Sequence, residues 1–264
     1  MRCKMRERPI GVFDSGVGGL TVLDELIKKL PNENYLYIAD EANCPYGTKT
    51  NDEIETCVVN LVYYLIKQNV KAIVIACNTA SLFVDKVRKL TTIPIIDVIE
   101  PTSSYAIKVS KNKCIGVLGT SATIKKGTYQ KILKENNVNT YPVACSEFVD
   151  YIENNDINSD KAFEIVNNKL ECLKNTDIDT IIYGCTHFSI LEKPIKKLLG
   201  QNINYIACGY PTSIKLYEIL KENNLLNTST TLPVINVYTT GNVEKTKKAM
   251  SWYKKIDEVK HINL

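Results

Sequence analysis

Short apolar runs rich in β-branched residues recur along the chain, many of them separated by stretches with helical periodicity. This alternation restricts the fold more than any other feature. The runs lie at 10–13, 35–39, 72–76, 95–98, 114–118, 141–144, 180–183 and 205–207. Turn-forming residues bound them, and their near-continuous apolar character is that of strands covered on both faces. Between them sit amphipathic segments such as 20–30, 52–68 and 160–175. Strand and helix in repeated succession predict an α/β fold with mostly parallel sheets, in which ligands meet the chain at the carboxyl ends of the strands.

The alternation also repeats itself. IGVFDS at 10–15 matches IGVLGT at 115–120, and IVIACNTA at 73–80 parallels IIYGCTHF at 181–188 at nearly the same separation. Two ordered matches predict two related halves. No Pro-, Gly- or Ser-rich linker marks the join. The second match sets Cys77 against Cys185, each at the end of a strand. At 264 residues the chain is long enough for two modest cores.

Composition narrows the function classes. Hydrophobic residues at 44% and charged residues at 23% are globular values, and no apolar stretch reaches the length of a bilayer span. A net charge of +4, from 33 Lys plus Arg against 29 Asp plus Glu, is spread thinly along the chain, so nucleic acid is not an expected partner. The basic start MRCKMRERPIGVF runs into a strand without the apolar core and cleavage site of a signal peptide, which predicts a cytoplasmic protein. Nine cysteines in that compartment remain thiols; their odd number and the absence of a CxxC pair argue against a disulfide framework or a zinc ribbon. The arginines are Arg2, Arg6, Arg8 and Arg88, three of them near the N-terminus. An anionic ligand is therefore expected to rely on backbone N–H groups, hydroxyls and amides rather than a guanidinium fork.

Cys77 is followed by Asn78 and Thr79, and Cys185 by Thr186 and His187, polar residues that can open a helix. A helix N-terminus favours thiolate over thiol. Two thiols reaching one carbon from opposite sides can take a proton from one face and return one to the other, as racemisation or epimerisation requires. Burial as plain core is the commoner fate of cysteine; the repeat sets these two apart. Asp14 and Ser15 end the first run and enter the glycine-rich turn DSGVGG, whose N–H groups suit an anion. The Asp14 carboxylate suits a substrate ammonium, the orientation of a thiol, or a helix cap. His187, one of two histidines, stands two residues beyond Cys185, where an imidazole can relay a proton; His261 has no such context. Asp40 and the turn Pro45, Tyr46, Gly47 follow another run and reach the same strand-end face. Asp14, Cys77, Cys185 and His187 have metal-ligand chemistry without the spacing of a compact site, so no metal is expected. No lysine context marks a pyridoxal-phosphate site.

DSGVGGLTVL from Asp14, CPYGTKT from Cys44, ACNTAS from Ala76, IEP from Ile99, GTSATIKKGTYQ from Gly119 and GCTHF from Gly184 follow one another in order. Together they resemble the cofactor-independent glutamate racemases of the aspartate/glutamate racemase superfamily, over nearly the whole chain. The resemblance implies two similar α/β domains related by a pseudo-twofold axis, residues 1–98 with 208–264 and residues 99–207, with the active site in the cleft between them. It implies interconversion of L- and D-glutamate without a cofactor, supplying D-glutamate for peptidoglycan. Cys77 and Cys185 would be the acid/base thiols, with Asp14 assisting the first and His187 the second. Asp14, Ser15, Pro45, Tyr46, Gly47, Asn78, Thr79, Thr120 and Thr186 would hold the substrate. The implied partner is a small-molecule amino acid, and a homodimer stays open.

The chain departs from the family pattern at several places. Where the family usually carries arginine before the PYG turn, this chain reads DEANCPYG, with Glu41 and Asn43. The usual ACPxFVPLVE reads ACSEFVDYIE, bringing Ser146, Glu147 and Asp150 and keeping Glu153. IEPG becomes IEPT at Thr102, and DSG becomes ACG at 207–209, beginning with Ala207. Added carboxylates near the site would disfavour an anionic side chain. The alternatives are therefore a racemase of the same mechanism for aspartate or for a neutral or cationic amino acid, and a non-catalytic binding protein on this fold. A one-sided reaction such as decarboxylation needs a single reactive thiol, and the presence of two counts against it.

Overall fold

The computed structural model describes residues 5–154, 160–249, 256 and 258–264. Its chain falls into two compact units, Met1–Val98 with Gly209–Leu264, and Ile99–Cys208. Cys208 thus goes with the second unit, where its thiol donates to the Tyr183 carbonyl at 3.1 Å.

The strands are β1 (Ile10–Asp14), β2 (Tyr35–Ala39), β3 (Ala72–Ile75), β4 (Ile95–Asp97), β5 (Cys114–Gly119), β6 (Asn139–Ala144), β7 (Thr180–Gly184), β8 (Asn204–Ala207), β9 (Ile235–Thr239) and β10 (Glu258–His261). The first unit holds a six-stranded sheet in the order β10-β9-β2-β1-β3-β4, the second a four-stranded sheet in the order β6-β5-β7-β8. Every strand pair in both is parallel. The four strands β2-β1-β3-β4 recur as β6-β5-β7-β8, so the two sequence matches fall on corresponding strands, β1 with β5 and β3 with β7.

Burial explains the apolar runs. All residues of β1, β2 and β3 are buried, because helices cover parallel sheets on both faces. The helix Asn51–Lys67 shows how local sequence sets one such cover. Thr50 caps it by accepting the Glu53 N–H, Glu53 reaches back to the Thr50 N–H, and Ile54, Val58, Leu61, Val62 and Leu65 form the buried stripe. Two strands lie beyond the last one expected from sequence. β9 pairs with β2 along its length, from Tyr35 opposite Ile235 to Ala39 opposite Thr239, and β10 adds the edge.

In the first sheet, β1 lies between β2 and β3, with Asp14 opposite Ala39 and Phe13 opposite Ile75. Their carboxyl ends therefore deliver Ser15, Asp40 and Cys77 to one rim. At the rim where the strands begin, Lys71 and Glu33 form a buried ion pair, their side chains 0% and 2% exposed. Lys71 also donates to the carbonyls of Arg6 and Leu225, and Glu33 accepts the Asn227 N–H at 2.8 Å. Burial pulls the Lys71 pKa down, against the carboxylate that holds its charge. Among the described residues no helix is long and apolar enough to cross a membrane.

Candidate active site

Cys77 leaves β3 and caps the short helix Asn78–Ser81, its Sγ accepting the Ala80 N–H at 3.5 Å. An N–H aimed at sulfur favours negative charge there. The thiol also lies 3.6 Å from the Ser15 hydroxyl at the end of β1. Asn78 and Thr79, next in the chain, are buried at the same rim.

Asp14 is 1% exposed, and its Oδ2 accepts the N–H groups of Gly16 and Gly19 at 3.1 and 3.0 Å. Two of the donors that the glycine-rich turn would offer to an external anion are thus occupied by the chain's own carboxylate. The tight turn depends on Gly19: a Cβ there would stand 2.5 Å from Asp14 Cβ and 2.7 Å from Tyr37 Oη. Tyr37 in turn donates to the Gly16 carbonyl at 2.8 Å. Burial, with Asp14 and Cys77 nearby, raises its phenol pKa well above the usual range, so the group stays a donor.

After β2 the chain makes two 3₁₀ turns, Glu41–Asn43 and Tyr46–Thr48, joined through a cis Cys44–Pro45 bond. Tyr46 is buried, and its hydroxyl donates to Asp40 Oδ2 at 2.5 Å. Burial first and the Asp40 charge second push this phenol far above its ordinary range. The Tyr46 side chain is therefore an anchor for the turn.

In the second unit, Cys185 leaves β7 and its Sγ lies 3.8 Å from His187 Nδ1. His187 is 5% exposed, and its Nε2 lies 3.4 Å from Glu153 Oε1 on the helix Ser146–Asn154. Sequence alone assigns Glu153 no role; only its retention in the ACSEFVDYIE segment singles it out. Thr186 is buried between the two side chains in sequence. Thr120, at the end of β5, caps the helix Ser121–Lys126 by accepting the Thr123 N–H at 3.2 Å.

The second thiol does not open a helix as the first does. The chain turns after Cys185 and forms a 3₁₀ segment only at Phe188–Leu191, before the helix Glu192–Leu199. Pro194 accounts for the difference: lacking an N–H, it is tolerated in a first turn but not deeper, so the helix cannot extend back to Thr186. Among the described residues, no group of three or more His, Cys, Asp or Glu side chains is arranged to hold a metal ion.

Known proteins of similar sequence and fold show which family the chain belongs to. The family model described as Asp/Glu/Hydantoin racemase matches residues 10–208. A glutamate racemase of Bacillus cereus is 40% identical over 262 residues, 97% of each chain, and one of Clostridium botulinum is 38% identical over 244 residues, 91% of this chain and 94% of that one. Among solved structures, a glutamate racemase isoform from Bacillus anthracis has a TM-score of 0.94 at 37% identity, covering 98% of both chains. A Francisella tularensis glutamate racemase, in complex with D-glutamate, has a TM-score of 0.90 at 34% identity, again over 98% of each. Agreement over this much of the sequence and of the fold places the chain in the Asp/Glu/hydantoin racemase family.

Proposed function

We propose that this chain interconverts L- and D-glutamate by proton transfer at the α-carbon and so supplies D-glutamate for peptidoglycan. It is an amino-acid racemase, an isomerase. The observation that carries the mechanism is the pair of thiols at corresponding strand ends, Cys77 after β3 and Cys185 after β7, each beside its own polar partner. One thiolate removes the α-proton, and the other thiol protonates the opposite face of the planar carbanion. Asp14 orients the first thiol's surroundings through the Gly16 and Gly19 N–H groups, and His187, backed by Glu153, serves the second. Ser15, Pro45, Tyr46, Gly47, Asn78, Thr79, Thr120 and Thr186 hold the substrate.

The departures in sequence are compatible with glutamate. Thr246 Oγ1 lies 3.0 Å from Glu41 Oε2. Glu147 pairs with Lys169 at 2.6 Å. Each of these carboxylates has a partner within its own unit, which weakens the case for a neutral or cationic substrate.

In deuterated water, D-glutamate formed from L-glutamate should carry deuterium at the α-carbon, while L-glutamate remaining at early times keeps its protium. The thiol that accepts the substrate proton is not the one that delivers the new one. Mass spectrometry of the separated enantiomers reads both pools; absence of α-exchange into either would sink the racemase assignment, and equal early labelling of both would sink the two-thiol mechanism. Glu153→Gln should lower kcat by about 100-fold, the lower end of the range of assisted proton transfer.

A further inference from the structure

Asp40 takes no part in the proton transfers above, yet its carboxylate is fully buried and saturated with donors. Oδ1 accepts the Thr240 hydroxyl at 2.8 Å, Oδ2 accepts the Tyr46 hydroxyl, and the Asn43 amide lies 3.1 Å from both oxygens. Thr240 follows β9 directly. Its hydroxyl also accepts the Ala42 N–H at 3.0 Å, and its own N–H donates to the Ala39 carbonyl at 3.1 Å. The Asp40 N–H donates to the Asp14 carbonyl at 3.0 Å, joining this network to the end of β1. A second tie runs from Glu41 to Thr246.

We propose that Asp40 and Thr240 are positioning residues that hold loop 41–48 in its binding shape, so that the segment following β9 sets the affinity of the site for substrate. This rests on Pro45, Tyr46 and Gly47 being substrate contacts, as proposed above. The loop contains only single 3₁₀ turns, which do not sustain a shape by themselves. A buried carboxylate is acceptor-only and matches the converging donors; an amide in its place would set donor against donor. Contacts to a substrate carboxylate are made alike before and during proton transfer, so a loosened loop raises KM and leaves kcat nearly unchanged.

The test compares the full-length chain with Asp40→Asn, Thr240→Val and Thr240→Ser. KM and kcat are measured for both glutamate enantiomers, together with melting temperature and amide hydrogen exchange by peptide. Thr240→Val should raise KM about tenfold with kcat within about threefold, Thr240→Ser should return KM to within about twofold, and Asp40→Asn should exceed Thr240→Val. Exchange should quicken in peptides covering 41–48 while those covering β1 and β3 keep their rates. A Thr240→Val protein with unchanged KM and unchanged exchange at 41–48 overturns the proposal, as does a fall in kcat matched by faster exchange across β1 and β3. If Asp40→Asn does not fold, the Thr240 pair decides. If the parent chain itself shows no racemisation, the racemase assignment fails separately, and unchanged exchange at 41–48 in Thr240→Val still overturns this proposal.

Discussion

Cys77→Ser and Cys185→Ser should each lower kcat/KM for glutamate racemisation by about 10²- to 10⁴-fold, the usual contribution of a positioned acid or base. A serine hydroxyl stays un-ionised at neutral pH, whereas a thiol ionises near pH 8.5 and is readily drawn lower. In the proposed mechanism each thiol acts as base for one enantiomer and as acid for the other. The equilibrium constant of racemisation is one, so kcat/KM must fall by the same factor from either side, whichever cysteine is changed. Optical rotation or circular dichroism at the substrate band, started from pure L- and from pure D-glutamate, measures both directions. A variant retaining parental turnover would show that its thiol is not one of the two bases. Exchange of sulfur for oxygen at these positions changes little volume, so a folded protein with lost activity is the expected combination.

Gly19→Ala should damage both stability and activity. The added methyl would overlap Asp14 Cβ and crowd Tyr37 Oη, and both belong to the network that fixes the turn after β1. Neither neighbour can swing clear: Asp14 is tied to two N–H groups, and Tyr37 is fully buried. Relief must come from the backbone, at about 1–3 kcal/mol of stability for overpacking. The accompanying shift of Asp14 should cost about 10²-fold in kcat/KM, the scale expected for an ångström of misplacement. Thermal denaturation and steady-state kinetics measure the two losses separately. Parental values of both would mean that the turn relaxes freely and that Asp14 has no positional demand.

Much of this arrangement is legible in the sequence because buried parallel strands are nearly continuous apolar runs. Residues 35–39 become β2 without change of boundary, and the other runs become strands within a few residues. The paired matches mark the proposed sites because a repeated strand brings the residues at its carboxyl end to the corresponding rim of its own sheet. The features that escape are carried by weaker patterns. β9, INVYT, alternates buried and half-buried positions, and β10, EVKH, is a polar edge strand that needs apolar residues on neither side. With those strands unseen, nothing in the sequence connects Asp40 to Thr240 or Glu41 to Thr246, and the two acidic residues before the PYG turn look like charges facing a ligand. Likewise, the similarity of ACNTA to GCTHF predicts two helix caps, and only the position of Pro194, nine residues beyond Cys185, separates them. The Glu153 contact with His187 is invisible for a different reason, since it joins two elements far apart in the chain.

The sheet of the first unit is assembled from two distant stretches of chain, and this bears on how the protein comes into being. As synthesis proceeds, residues 1–98 emerge long before 209–264, and for that interval β2 has no partner on the side that β9 will occupy. Lys71 and Glu33 likewise wait for the Leu225 carbonyl and the Asn227 N–H before their charges are fully enclosed. Closure across so long a separation is slow, and an unpaired strand edge invites other chains. The nascent polypeptide is therefore most vulnerable to aggregation while its second unit is being made, and loss of the final segment would reopen the β2 edge together with the loop that Thr240 holds.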